Sequence, residues 1–177
     1  MSSDAIRRVS AVVGTVFFLL IAPGTVAGLV PWGISGWRMR PPLLHFYPFR
    51  WLGVLLIVGG VPLLLDSFAR FALKGLGTPA PVFPTRHLVV SGLYRYVRNP
   101  MYLAVVGVIV GQGLLFGDVR VLEYALIPWL AAHLFVLFYE EPTLRRSFGA
   151  EYETYRANVP RWIPCLSAWQ GAERYSL

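Results

Sequence analysis

The stretch Thr85–Tyr102, T-R-H-L-V-V-S-G-L-Y-R-Y-V-R-N-P-M-Y, decides how this chain is read. It is polar, aromatic and punctuated by Gly92 and Pro100, and it opens directly into an apolar run. Pro100 suits the first turn of a helix, where its missing N–H costs nothing. About forty residues on, by count, Tyr139-Glu140-Glu141-Pro142 closes the next apolar run. A hairpin between the two runs brings both polar stretches to one membrane face, and that face is the expected functional site.

Outward from this stretch the chain is apolar in blocks. It has 177 residues, 56% of them hydrophobic and 14% charged, with a mean hydropathy of +0.57. Soluble domains carry about a quarter charged residues. The expected fold is all-α: a polytopic integral membrane protein with about four transmembrane helices, a cytoplasmic cofactor-binding loop and an interfacial C-terminal helix. The net charge of +7 sits at the ends of the apolar blocks, as topology and anionic headgroups require. No basic stripe lies on a soluble element, so nucleic acid is excluded as a partner. Cys165 is the only cysteine, which rules out an intrachain disulfide and a cysteine-rich metal site. No metal is expected. Arginine outnumbers lysine 15 to 1, a composition associated with GC-rich genomes, and the expected location is a bacterial plasma membrane.

The whole chain, 1–177, reads as a single domain with spans at 9–30, 51–73, 100–117 and 119–139. At about 1.5 Å per residue the first covers the roughly 30 Å hydrocarbon core. Pro23 and Gly24 kink it. Thr25-Val26-Ala27 resembles a signal-peptide cleavage site, but the apolar run continues past it, and a retained span is preferred. Pro31–Arg50 is a loop whose Trp32, Trp37, Tyr47 and Trp51 suit a headgroup-level aromatic belt. Asp66 and Arg70 stand four apart at the end of the second span, spaced for an ion pair. Leu144, Phe148, Tyr152 and Tyr155 form one face of a short amphipathic helix, expected to lie in the interface, with Val159-Pro160-Arg161-Trp162-Ile163-Pro164 ending and anchoring it.

Orientation follows from the basic residues. One side receives Arg7, Arg8, Arg70, Lys74, Arg86, Arg95, Arg98, Arg145, Arg146, Arg156, Arg161 and Arg174, the other Arg38, Arg40, Arg50 and Arg120. Both termini and the site are therefore expected to be cytoplasmic. Adjacent carboxylates at a membrane boundary are costly unless a cation satisfies them. Glu140 and Glu141 either reach water or Arg145 and Arg146, or receive a cationic ligand group. Tyr94, Tyr96 and Tyr102, with backbone freed by Gly92 and the prolines, could hold a purine and ribose, since irregular backbone at membrane depth lines cavities. His133 has two readings: a base that takes a proton from the acceptor, on the helical face of Glu140, or a packing residue bonded across helices to Gln112. The packing reading is preferred.

The segments G-L-Y-R-Y-V-R-N-P-M-Y, Y-E-E-P-T-L-R-R-S-F-G-A-E-Y-E-T-Y and V-P-R-W-I-P together resemble the isoprenylcysteine carboxyl methyltransferase and phospholipid methyltransferase superfamily of membrane enzymes. The resemblance covers roughly residues 75–164. It implies S-adenosyl-L-methionine as cofactor and a lipophilic or lipid-anchored substrate, isoprenylcysteine carboxylate-like or phospholipid amine-like, met among membrane lipids. It further implies that Arg86, His87, Leu88, Val89, Tyr94, Asn99, Pro100, Met101 and Tyr102 line the cofactor pocket and that Glu140, with Glu141, holds the cofactor's amino group. Gly75 and Gly77 would match the glycine pair of the phospholipid enzymes. Two departures stand out. Asn99 replaces the histidine usual in the prenylcysteine enzymes, and Val136 occupies the position of their carboxylate-binding arginine. Two other classes stay open: a non-catalytic transporter or assembly subunit with Asp66, Gln112 and His133 as a polar path, and a nicotinamide-dependent membrane reductase.

Overall fold

A computed structural model describes residues 3–73 and 88–171. Helix α1 (Ser3–Gly24) passes through a π turn (Thr25–Leu29) into α2 (Val30–Ser35), and α3 spans Pro48–Leu73. Helix α4 (Pro100–Phe116) is followed by α5 (Val119–Phe135), which passes through a second π turn (Val136–Glu140) into α6 (Glu141–Phe148), and α7 covers Ala150–Asn158. Short 3-10 turns occupy Leu43–His45 and Gly92–Arg95, and no strand occurs among the described residues. Among the described residues three stretches are long and apolar enough to cross a bilayer: Val12–Ser35, Pro48–Arg70 and Val119–Phe148. Helix α4 is a shorter apolar helix of 17 residues, the low end of what a crossing requires. Phe17, Leu55, Val58, Leu126 and Ile127 stand exposed on these helices, as lipid-facing side chains do. The chain is an all-helical polytopic membrane protein.

Two spans differ from the sequence expectation, for one reason. The first helix continues past Val30 to Ser35, and the last continues past Tyr139 to Phe148. In each, a π turn ends two residues before a proline, Pro31 and Pro142. Proline donates no N–H to the preceding turn, and a π turn re-registers the ladder around the gap instead of ending the helix.

Contacts divide the chain into two compact units. One comprises residues 20–64 and 101–135. Its core is Ala27, Val108, Ile109, Val121 and Ala125. The carbonyls that Pro31 leaves without a helical donor find side chains: Gln112 Nε2 donates to the Ala27 carbonyl at 2.7 Å, and the Tyr124 hydroxyl to that of Val26 at 3.0 Å. Gln112 Oε1 accepts from Trp37 Nε1 at 3.0 Å. Helices α3 and α4 pack backbone to backbone at Gly53 and Gly111, where a Cβ on either would lie 2.6 Å or 2.8 Å from the other's carbonyl oxygen. The α4–α5 turn is built on Gly117 (φ +69°) and on Asp118, which is buried and accepts from Arg120 Nε and Nη2 at 3.0 Å and 2.8 Å. Arg40 adds an ion pair to Asp118 at 3.4 Å.

The other unit comprises residues 1–19, 65–100 and 136–177. Its core joins Leu88, Val90, Tyr152, Tyr155 and Val159, with Leu144, Phe148 and Trp169 packed against them. The apolar stripe predicted for the C-terminal helix is therefore present, divided between α6 and α7 by Gly149 (φ +51°). It packs against this unit's own core.

Candidate functional site

The site residues of the second unit converge from four pieces of chain. The end of α3 supplies the first. Arg70 donates from Nε and Nη2 to the Asp66 carboxylate at 2.7 Å and 2.9 Å, the pair that the i,i+4 spacing predicts. The same guanidinium donates to Ser91 Oγ at 3.3 Å and covers Gly92, filling the space where a Cβ would be. Gly92 has φ +59°, so both its backbone and its close neighbour demand glycine. Arg70 thereby fixes the start of the 3-10 turn that carries Tyr94.

Tyr94 is buried. Burial raises its phenol pKa most, the charge of Glu140 raises it further, and a hydrogen bond with Ser67 opposes both. The phenol is thus neutral at any physiological pH, a hydrogen-bonding group and not a base. Its backbone carbonyl accepts from the Tyr155 hydroxyl at 2.7 Å. Burial likewise raises the Tyr152 and Tyr155 phenols.

Glu140 and Glu141 have different surroundings. Successive helical residues point about 100° apart around the axis, and here Glu140 ends the π turn while Glu141 begins α6. Glu141 is 4% exposed and accepts three charge-assisted hydrogen bonds: Arg161 Nε at 2.6 Å, Arg161 Nη2 at 2.9 Å and Arg98 Nη1 at 2.9 Å. Arg98 Nη1 also donates to the Tyr152 hydroxyl at 3.1 Å. Glu140 is half-buried, and its charge reaches Tyr94, Tyr152 and Tyr155. The partners foreseen for the pair, Arg145 and Arg146, are not those of Glu141. Arg145 instead pairs with Glu153 at 3.0 Å.

Asn99 is buried and donates from Nδ2 to the Arg161 carbonyl at 3.1 Å. Beside it, the Arg98 N–H donates to the Pro160 carbonyl at 2.9 Å. Loop, α6 and the segment after α7 are thus joined around Glu141. Leu88, Val89, Tyr94, Asn99, Pro100, Glu140 and Glu141 all fall in this unit, whereas Met101, Tyr102 and His133 belong to the other. Met101 is buried and Tyr102 half-buried. Leu88 is part of the core cluster. Arg86 and His87, with Gly75 and Gly77, lie outside the described residues. His133 stacks on Trp129 at 5.6 Å. The π turn between His133 and Glu140 removes the regular period on which the shared-face count rested.

Sequence reasoning missed Ser67, Arg98, Tyr152 and Arg161 as partners in this network. Arg161 carried a signal, lying inside the V-P-R-W-I-P segment. Arg98 and Glu141 are 43 residues apart, and no local period links them.

Comparison with known proteins bears on what the network serves. Residues 48–151 match the family model described as phospholipid methyltransferase. Over 80 residues the chain is 36% identical to Protein-S-isoprenylcysteine O-methyltransferase of Schizosaccharomyces pombe. That match covers 45% of this chain and 34% of the yeast protein, about a third of the relative's length. No solved structure matches the chain. The family match takes in the second span, the Tyr94–Tyr102 stretch and the Glu140-Glu141 junction: this chain belongs to the phospholipid methyltransferase family.

Proposed function

We propose that the chain is an integral membrane methyltransferase that uses S-adenosylmethionine to methylate a lipophilic acceptor at the cytoplasmic face of the membrane. The observation that carries this reading is the unequal state of the two glutamates. Glu141 is buried against three guanidinium donors, while Glu140, the last residue of the π turn, is half-buried and its charge acts on the neutral Tyr94 phenol. The residues fit a ligand with one cationic and one anionic group. Glu140 is an acceptor for an amine, and Arg98 Nε is a buried donor with no hydrogen-bond partner, suited to a carboxylate. Tyr94 and Asn99 frame the ligand between these groups.

When bound, S-adenosylmethionine supplies an electrophilic sulfonium methyl group. The chain's own contribution is to orient the donor and to exclude water, which is where the rate gain of such a site arises. Of the two acceptor chemistries, the phospholipid-type amine is the better match. Val136, at the position of the prenylcysteine enzymes' arginine, is apolar and buried and offers a carboxylate nothing. The polar-path alternative loses support because Asp66 is held by Arg70 and Gln112 by Ala27, Val108 and Trp37.

The test is calorimetric titration of detergent-solubilised protein with S-adenosylhomocysteine. Saturable binding by the wild type, lost in Glu140→Gln, is expected, and transfer of tritiated methyl to membrane lipids should follow. A folded wild type that binds nothing would sink the reading.

A further inference from the structure

The segment that follows α7 is irregular yet held along its length. The Pro160 carbonyl accepts from the Arg98 N–H, the Cys165 N–H donates to the Tyr96 carbonyl at 3.0 Å, and the Trp169 N–H donates to the Arg95 carbonyl at 3.0 Å. Arg95 Nε returns a bond to the Trp169 carbonyl at 3.0 Å. Arg161 reaches Glu141, and the Trp169 ring packs on Tyr155 at 5.9 Å. This strap therefore does not hang free. Even so, it holds Ile163 80% exposed and Leu166 104% exposed, the second being the most exposed large hydrophobic side chain among the described residues.

What covers these two side chains is indicated by where the strap is fastened. Phe148 ends the Val119–Phe148 span and packs in the same cluster as Val159 and Trp169, which bracket the strap. The strap is thus anchored at the polar, arginine-bearing end of a stretch that is long and apolar enough to cross a bilayer. Arg146, at the same end, is exposed and makes no ion pair among the described residues. The chain's net charge of +7 also favours an anionic surface.

We propose that Ile163 and Leu166 seat the strap in the headgroup–acyl boundary of an anionic bilayer. The strap, and not the apolar stripe of α6 and α7, is then the part of this region that grips lipid. Two exposed apolar side chains held at the end of such a stretch are what this boundary accepts. Because Arg161 belongs to the strap and holds Glu141, seating it also secures the α6 end of the candidate site. The inference does not depend on the methyltransferase reading.

Spin labelling tests it. In a Cys165→Ser background, whose hydroxyl can still donate to the Tyr96 carbonyl, Leu166→Cys carries a nitroxide in discs of phosphatidylcholine and phosphatidylglycerol. Power saturation compares oxygen with a water-soluble nickel chelate. Oxygen is expected to relax the label several-fold better than nickel, as it should at a lipid-facing Ile127→Cys control. Nickel access equal to that of an Asn158→Cys control would place Leu166 in water and overturn the proposal. Dipolar broadening that grows with protein copies per disc would assign the patch to a second copy and overturn it too. A photocrosslinking benzophenone at position 166, with Cys165 intact, gives an independent readout: a lipid adduct supports the proposal, and a protein dimer or no adduct refutes it.

Discussion

Arg161 and Glu141 meet as two planar forks, Nε to Oε1 at 2.6 Å and Nη2 to Oε2 at 2.9 Å. The pairing ties the first residue of α6 to a strap 20 residues further along the chain. Such bidentate geometry is the strong form of a charge-assisted hydrogen bond. It also holds the Arg161 guanidinium protonated, its pKa raised by the hydrogen bond to Glu141.

Removing the carboxylate should cost more than removing its neighbour. Glu141→Gln leaves Arg98 and Arg161 without their counter-charge, and breaking a buried pair from one side costs about 3 kcal/mol. Glu140→Gln should cost less than that, because Glu140 is half-buried where Glu141 is buried against two guanidinium groups. Thermal unfolding of both variants in detergent checks the contrast. Equal losses would mean that Glu141 is not the structural member of the pair.

Gln112→Leu should destabilise the other unit by about 2 kcal/mol, because the Ala27 carbonyl loses its partner in a buried setting. Pro31→Ala restores a backbone N–H within reach of Ala27. The double variant should therefore lose less than the sum of the two single changes. A double-mutant cycle measures this coupling. Strict additivity would show that Gln112 does not serve the gap left by Pro31.

Glycine-to-alanine changes should differ in sign along α3 and α4. At Gly107 a Cβ would meet nothing within 4 Å, and alanine should stabilise by up to about 1 kcal/mol through helix propensity. At Gly53 it would collide with the Gly111 carbonyl and the Leu115 amide, and overpacking should destabilise by about 1–3 kcal/mol. Denaturant titration of the two variants separates these outcomes.

The α4–α5 turn should respond to acid through Asp118. Hydrogen bonding from Arg120 is the leading cause that holds its carboxyl below the usual carboxylate range. A depressed folded-state pKa stabilises fully above the unfolded value of about 3.9, and that stability disappears as pH falls through the folded value. The melting difference between wild type and Asp118→Asn should therefore be constant from neutral pH down to about pH 5 and shrink below about pH 4. A difference that persists undiminished into acid would rule out the carboxylate charge as its source.

Much of this was legible locally. The apolar blocks, Pro100 at the start of α4 and the Asp66–Arg70 pair all express short-range rules of period, φ and reach, and each is present in the structure. The stripe Leu144–Phe148–Tyr152–Tyr155 was equally legible as a pattern. Hydrophobic spacing alone does not distinguish a core from a lipid surface, and this stripe faces a core.

The prolines show where local reading stops. Pro31 and Pro142 mark missing donors, and a chain end or a kink is the simplest inference from sequence. Whether the helix continues depends on who supplies the freed carbonyls, and at Pro31 the donors are Gln112 and Tyr124, 85 and 98 residues away from Ala27 and Val26.

By itself the sequence determined that this is a multi-span helical membrane protein with a polar, carboxylate-bearing junction, since hydropathy and backbone preference act within a few residues. Only the tertiary structure decided that Glu141 is a buried anchor while Glu140 remains in a different environment. Adjacent identical residues carry identical local signals, and what separates them is the arrival of Arg98 and Arg161 from distant parts of the chain.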